Sequence, residues 1–318
     1  MKKLSTSNKK VSNLVLFGIS FVLIAGGCSL KINKDQNKFY DDVNKYTSEF
    51  QDDDFQICAH RGFSSKEVEN TLDSIKEANK ADYIDYIEMD VRMTKDNQFV
   101  LSHDDKLYNL DHFVRVSNVN KDSLLNIKYT YTDLDMFSFN LDNNFINERN
   151  FKLFNEKFQL TDLLTGIENA NNKKILLDLK IEDDDNIFID NFIKVIDNID
   201  TSNITIQSKN IDGLKKLKEK RPDLEYSPII DKSFDFNDID GFDNITVKKN
   251  YINNPIVKEK IDNGDKVFVW NINGNEDFYG VANYFFEDYD KLIYISDYPN
   301  EVSYLLNDYK KIIKKTMK

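Results

Sequence analysis

Five short polar motifs end or follow apolar runs in this chain: His60-Arg61-Gly62, Glu69-Asn70-Thr71, Glu88-Met89-Asp90, His103-Asp104 and Asp178-Leu179-Lys180. Two of the three histidines fall within them. A neutral imidazole accepts and returns a proton near pH 7, so His60 and His103 are candidates for general acid and general base. Glu88 and Asp90 stand two apart in an extended run, which puts both carboxylates on one face. Two buried carboxylates are costly without a cation. An all-oxygen donor set suits a divalent metal, Ca²⁺ or Mg²⁺. Asp178, flanked by leucines, is a candidate third ligand, while Lys180 and the planar fork of Arg61 are candidate donors to phosphate oxygens. Together these residues fit metal-assisted cleavage of a phosphodiester. Taken singly, the same motifs have plainer readings: a solvated strand end, a structural Asp178–Lys180 pair, a surface salt bridge at Arg61. The third histidine, His112, lies in a polar stretch and is read as surface.

These motifs need elements to hold them, and the hydropathy pattern supplies nine strand candidates. They are Phe55–Ala59, Tyr86–Arg92, Gln98–His103, Lys174–Lys180, Asn203–Gln207, Leu224–Ile230, Asn244–Val247, Lys266–Asn271 and Lys291–Ile295. Helical spacing recurs between them at Ser65–Asn79, Thr161–Ala170, Ile187–Ile199, Gly213–Glu219, Ile256–Asn263 and from Glu301 to Leu306. Strands alternating with helices argue for an α/β fold with a mostly parallel sheet. Eight such strands close into a TIM (β/α)8 barrel at this length. One of the two weaker candidates, Leu224–Ile230 or Asn244–Val247, is then expected to be peripheral. Residues 105–158 form an insertion after the third strand. No Gly-x-Gly-x-x-Gly turn follows the first strand, so a dinucleotide fold gets no support.

The N-terminal residues read differently. Four lysines precede the apolar run Leu14–Ala25, and Gly26-Gly27-Cys28 follows. This predicts a lipoprotein export signal over residues 1–28, with Cys28 lipidated. The run is shorter than the roughly 20 apolar residues that span a bilayer. Residues 29–53 are polar and read as a tether, leaving 54–318 as the barrel. The expected location is extracytoplasmic, at the bacterial cell membrane. Residues 1–28 carry four lysines and no acid, so removing them takes the net charge from -12 to -16. So acidic a chain argues against nucleic acid as a partner. It does not exclude a small phosphate held by a few local cations. Cys58, inside an apolar strand, is read as a buried small residue rather than half of a disulfide.

The order and spacing of the motifs resemble the glycerophosphodiester phosphodiesterase family, a branch of the phospholipase-C-like phosphodiesterase barrels. Besides the motifs above, the resemblance rests on Phe158-Gln159-Leu160-Thr161-Asp162-Leu163-Leu164, Gln207-Ser208, Val269-Trp270-Asn271-Ile272-Asn273 and Ile295-Ser296-Asp297-Tyr298-Pro299. It implies a divalent metal on Glu88, Asp90 and Asp178, with His60 and His103 as acid and base. It implies Glu69 beside the metal or the substrate glycerol. Arg61 and Lys180 add catalytic donors to this scheme, and Trp270 either packs a glycerol face at the substrate or fills the barrel mouth. The implied reaction is hydrolysis of a glycerophosphodiester to glycerol phosphate and an alcohol. Asp178 stands where the family usually has glutamate, Ser296 where it usually has threonine, and Asn271 where a threonine commonly follows the tryptophan. Two other readings remain at this level. One is cleavage of an intact phospholipid, with an apolar patch from Phe137, Phe139 or Phe145. The other is a surface-binding lipoprotein that kept the barrel.

Overall fold

The computed structural model describes residues 55–109, 112–130, 157–182 and 185–316. The predicted signal with Cys28, the tether, and Phe137, Phe139 and Phe145 lie outside the described residues. Eight parallel strands form a closed barrel: β1 (Gln56–Ala59), β2 (Tyr86–Met93), β3 (Lys174–Leu179), β4 (Ile204–Ser208), β5 (Glu225–Ile230), β6 (Ile245–Lys248), β7 (Val267–Trp270) and β8 (Leu292–Ser296). β1 closes the ring by pairing with both β8 and β2. Packed outside are α1 (Leu72–Lys80), α2 (Leu163–Asn169), α3 (Asp185–Ile196), α4 (Ile211–Lys220), α5 (Pro255–Asn263), α6 (Asn275–Tyr284) and α7 (Pro299–Thr316). No helix among the described residues is long and apolar enough to cross a membrane.

Both weaker strand candidates are barrel strands, β5 and β6. The peripheral strand is instead Phe99–Leu101, which pairs antiparallel with the end of β2. Only Thr94 to Gln98 separate it from β2, with Asn97 turning at φ 56°. A parallel neighbour needs a crossover of a dozen or more residues. From there the insertion builds a small antiparallel sheet from Lys106–Asn109, His112–Arg115, Tyr129–Thr130 and Lys157–Phe158.

Side-chain alternation sorts the barrel residues. On β2, Ile87, Met89 and Val91 point outward into the apolar layer under the helices. Tyr86 points inward, packing with Cys58, Leu176, Phe268, Ile293 and Ile295. The Tyr86 and Phe268 rings meet edge to face at 5.3 Å. These residues make an apolar floor, so anything polar above it is shielded from water below.

The turn after β1 is the tightest part of the scaffold. Helical spacing predicts α1 from Ser65, but the helix starts at Leu72. Thr71 caps it, its hydroxyl accepting from the Ser74 amide. Residues before it are bent by left-handed Arg61 (φ 57°), Gly62 (φ 78°) and Asn70 (φ 56°). At Gly62 a Cβ would lie 2.7 Å from the Ser74 carbonyl carbon. Both the φ and the contact exclude a side chain. Replacing Gly62 with Ala is therefore expected to lower stability by about 1–3 kcal/mol, read as a lower urea midpoint at unchanged slope.

Candidate active site

The C-terminal ends of the strands gather the sequence-predicted residues. Glu88 and Asp90 point inward from β2, and Asp178 lies beside Asp90 in register on β3. All three are buried, and one oxygen from each falls within 4.8 Å of the others. Register thus brings the shorter aspartate arm at 178 into the cluster. His60, Arg61, His103 and Lys180 line the same open pocket of about 390 Å³. Trp270 forms part of its opposite wall.

Every carboxylate has a specific environment. Lys180 Nζ sits 2.5 Å from Asp178 Oδ2 and 2.7 Å from Asp90 Oδ1. Arg61 Nε lies 3.2 Å from Asp90 Oδ2. Its terminal nitrogen donates to both Glu69 oxygens, at 2.8 and 2.9 Å. Asn70 completes Asp90: its amide donates to Oδ2 at 2.8 Å, and its oxygen accepts from the Asp90 backbone at 3.0 Å. Glu88 Oε2 accepts the Arg61 backbone N–H at 2.8 Å. Burial would raise the Asp90 carboxyl, but Lys180 and then Arg61 hold it well below the usual range. Burial pushes Glu88 well above that range, and the charges of Asp90 and Asp178 add to the effect. Lys180 is pulled the other way: burial lowers it, and the two aspartates more than reverse this.

These observations test whether a divalent ion fits. With Glu69 included, four carboxylates face two cations, an excess of two negative charges. Asp178 Oδ1 is buried with no hydrogen-bond partner among the described residues. An orphaned carboxylate oxygen is costly, and here it belongs to the cluster that lacks positive charge. The donor set is all oxygen, which suits a hard cation. The residues fit the ion.

The histidines differ in setting. His60 is largely enclosed, its Nδ1 2.6 Å from Asp297 Oδ1 and its Nε2 4.0 Å from Glu88. A carboxylate can only accept, so His60 carries its proton on Nδ1 when neutral and leaves Nε2 as the base. Asn271 Nδ2 lies 3.4 Å from the same Nδ1, the weaker of the two approaches. Asp297 is itself held by Asn273 at 2.5 Å and Ser64 at 3.2 Å. His103 follows the peripheral strand, not a barrel strand. Its side chain is 39% exposed, with Nδ1 2.8 Å from Asp104. Glu69 is placed against Arg61 rather than among the three clustered carboxylates.

Two contributors carry no role in the sequence reading: Asp297 and Asn70. Each sat inside a quoted motif, but only the closed ring brings β8 beside β1, or folds Asn70 back over β2.

The sequence profile of the glycerophosphoryl diester phosphodiesterase family matches residues 60–300. The chain belongs to that family. No curated protein matches it by sequence. Among solved structures it is similar to a phosphodiesterase from Oleispira antarctica in complex with the product sn-glycerol-3-phosphate, at 20% identity and TM-score 0.62. That match covers 79% of this chain and 96% of the other. A glycerophosphodiester phosphodiesterase from Parabacteroides distasonis is 19% identical with TM-score 0.58, covering 80% and 98%. One from Thermotoga maritima is 20% identical with TM-score 0.53, covering 79% and 96%. At these identities the structures speak to the fold. The family match, with the clustered carboxylates, makes this chain a metal-dependent glycerophosphodiester phosphodiesterase.

The enzyme's Asp297 gives a prediction that needs no substrate. Burial works to raise its carboxyl. The charge and hydrogen bond of His60, then Arg61 and Asn273, bring it down to about 2. A depressed carboxyl stabilises the fold fully above its unfolded value near 4 and loses that contribution as pH falls through about 2. Asp297→Asn should therefore cost about 2 kcal/mol at pH 7, with the gap to wild type closing between pH 4 and pH 2. Urea titrations across that range read it directly.

Proposed function

We propose that the enzyme hydrolyses small glycerophosphodiesters, or envelope glycerol phosphate, at the outer face of the cell membrane, and that His60 and His103 move the protons. The observation that carries the chemistry is the buried carboxylate trio beside His60, with the base nitrogen of His60 turned away from Asp297.

Glu88, Asp90 and Asp178 would hold the divalent ion, which supplies stabilisation of charge on the phosphoryl oxygens. Arg61 and Lys180 add fixed positive charge in a water-poor setting, where it acts more strongly than in bulk solvent. One histidine takes the proton of the glycerol hydroxyl next to the phosphate as that oxygen bonds to phosphorus. The other protonates the departing alcohol as its P–O bond breaks. Water then opens the cyclic phosphate with the two roles exchanged. Asp297 fixes the ring of His60 throughout. Whether the ion is Ca²⁺ or Mg²⁺ depends on coordination number. Three converging carboxylates above an open pocket leave room for waters and suit either.

Residues 29–318 freed of metal with EDTA should release no glycerol phosphate from glycerophosphodiesters, and release should return with Ca²⁺ or Mg²⁺. His60→Ala and His103→Ala should each lower kcat by about 10²–10⁴-fold; full activity in both variants would sink the assigned roles. The same ion should raise the melting temperature of wild type and not of Asp178→Asn. That separates binding from turnover.

The location rests on the sequence alone. Residues 1–28 have the form of an export signal ending before Cys28, and 29–53 have the composition of a tether. In bacterial cells the full chain should take up radiolabelled palmitate and sediment with membranes. Cys28→Ala should do neither; an unchanged pattern would leave the anchor without support.

A further inference from the structure

The reacting groups occupy one half of the barrel mouth, on or just after β1, β2, β3 and β8, with His103 following the peripheral strand beside β2. The other half, β4 to β7, contributes no group to the proposed chemistry, yet it is charged. Lys209 follows β4, Asp231 follows β5, Lys248 ends β6 and Trp270 ends β7. Lys248 and Trp270 are register partners. Lys248 shares its face with Thr246, which lines the same pocket as Lys209 and Trp270.

Trp270 is the centre of this wall. Lys209 Nζ lies 5.2 Å from its ring centroid, and Lys248 Nζ lies 5.7 Å away. Its buried indole N–H has no hydrogen-bond partner among the described residues. Lys209 also pairs with Asp231 at 2.8 Å. Burial would raise the Asp231 carboxyl, but Lys209, then Lys232 and Lys248, hold it below the usual range. Three lysines thus stand around Asp231, with Asp235 accepting from the Asp231 and Lys232 backbones at 3.2 and 2.9 Å, so lysines outnumber aspartates by one. This positive excess sits at the mouth of a chain whose net charge is -12.

The arrangement has a consequence for substrate choice. An aromatic face ordinarily attracts a cationic group such as choline. Here two ammonium groups already stand over the face, and a third cation would be repelled. An anion would find Lys248, and Lys209 shared with Asp231, beside the indole ring. The attacking hydroxyl of the glycerol half must reach a histidine, His60 or His103, on the β1–β3 side of the mouth. The departing alcohol then extends over β4 to β7.

Resting on the phosphodiesterase reading above, we infer that Lys209, Lys248 and Trp270 form a subsite for an anionic leaving alcohol. The enzyme thereby favours glycerophosphodiesters that carry a second phosphate one alcohol beyond the scissile one. Choline and ethanolamine diesters are its poorer substrates.

The test compares kcat/KM for three diesters of glycerol phosphate, with the leaving alcohol being phosphoglycerol, glycerol or choline. The metal-loaded enzyme should favour phosphoglycerol over glycerol about tenfold, and glycerol over choline. The preference should shrink between 50 and 500 mM salt, values chosen on the order of the range over which exposed charges become screened. In Lys209→Gln/Lys248→Gln the phosphoglycerol-to-glycerol ratio should fall to about one, and Lys209→Glu should move the preference toward choline. Thermal melts confirm that the variants are folded. Equal use of all three diesters by wild type, or an unchanged ratio in the double variant, overturns the subsite and leaves the hydrolase standing. No turnover of any of them overturns the function and the subsite with it.

Discussion

Three carboxylates that repel one another are held together above an apolar floor, and most of the structure around them answers that repulsion. Glu88, Asp90 and Asp178 stand on adjacent strands, where backbone register leaves them no freedom to separate. Below them Cys58, Tyr86, Leu176 and Phe268 exclude water. Fields between charges are therefore strong, and each unbalanced charge is costly. Arg61 and Lys180 supply part of the balance, and Asn70 fixes Asp90 through two hydrogen bonds. The remainder is what gives the cluster its affinity for a divalent ion.

The left-handed turn at Arg61 and Gly62 follows from the same demand. To reach Glu69 and Asp90 at once, the Arg61 side chain must come back over the barrel mouth, while its own N–H donates to Glu88. That combination forces positive φ at two consecutive residues. A positive φ at arginine costs of order 1–2 kcal/mol, and it is held by several bonds: Gly62 N–H to the Glu88 carbonyl, Asn70 N–H to the Arg61 carbonyl, and the Ser74 hydroxyl to that same carbonyl. Local strain is thus tied to the placement of one guanidinium.

Much of this was legible in the sequence where a single strand carries the information. Period-two alternation on Tyr86–Arg92 placed Glu88 and Asp90 inward, and the leucines around Asp178 marked its burial. Legibility failed where the decisive contact is distant or the pattern is shared. Phe99-Val100-Leu101 has the length and apolarity of a barrel strand, because an antiparallel arm buried in the same layer needs the same residues. Only the short spacing from Met93 told them apart. No periodicity marks helix α6: Gly280 breaks its apolar pattern, and its buried Phe278, Val281 and Ala282 make too narrow a stripe to stand out. Asp297 lies 237 residues from His60, and nothing local distinguishes it from any other aspartate after a strand.

The segment between β2 and β3 begins and ends at one place. Leu101 pairs with Thr161 and Val100 with Asp162, so the chain leaves the barrel and returns across a two-residue bridge. Lys121 reinforces the junction from within by binding Asp162. A loop whose two ends are already joined adds little to the entropy of closing the ring; each doubling of its length costs only about 0.6 kcal/mol. Chain length between residues 102 and 160 is therefore cheap for the barrel, whereas Val100 and Leu160 do depend on the insertion residues packed against them, Leu107, Val116, Leu124 and Tyr129, and His103 projects into the pocket from that side. Beyond His103 this stretch can lengthen or shorten at little entropic cost, re-shaping the approach to the phosphate while the carboxylates behind it stay where the strands put them.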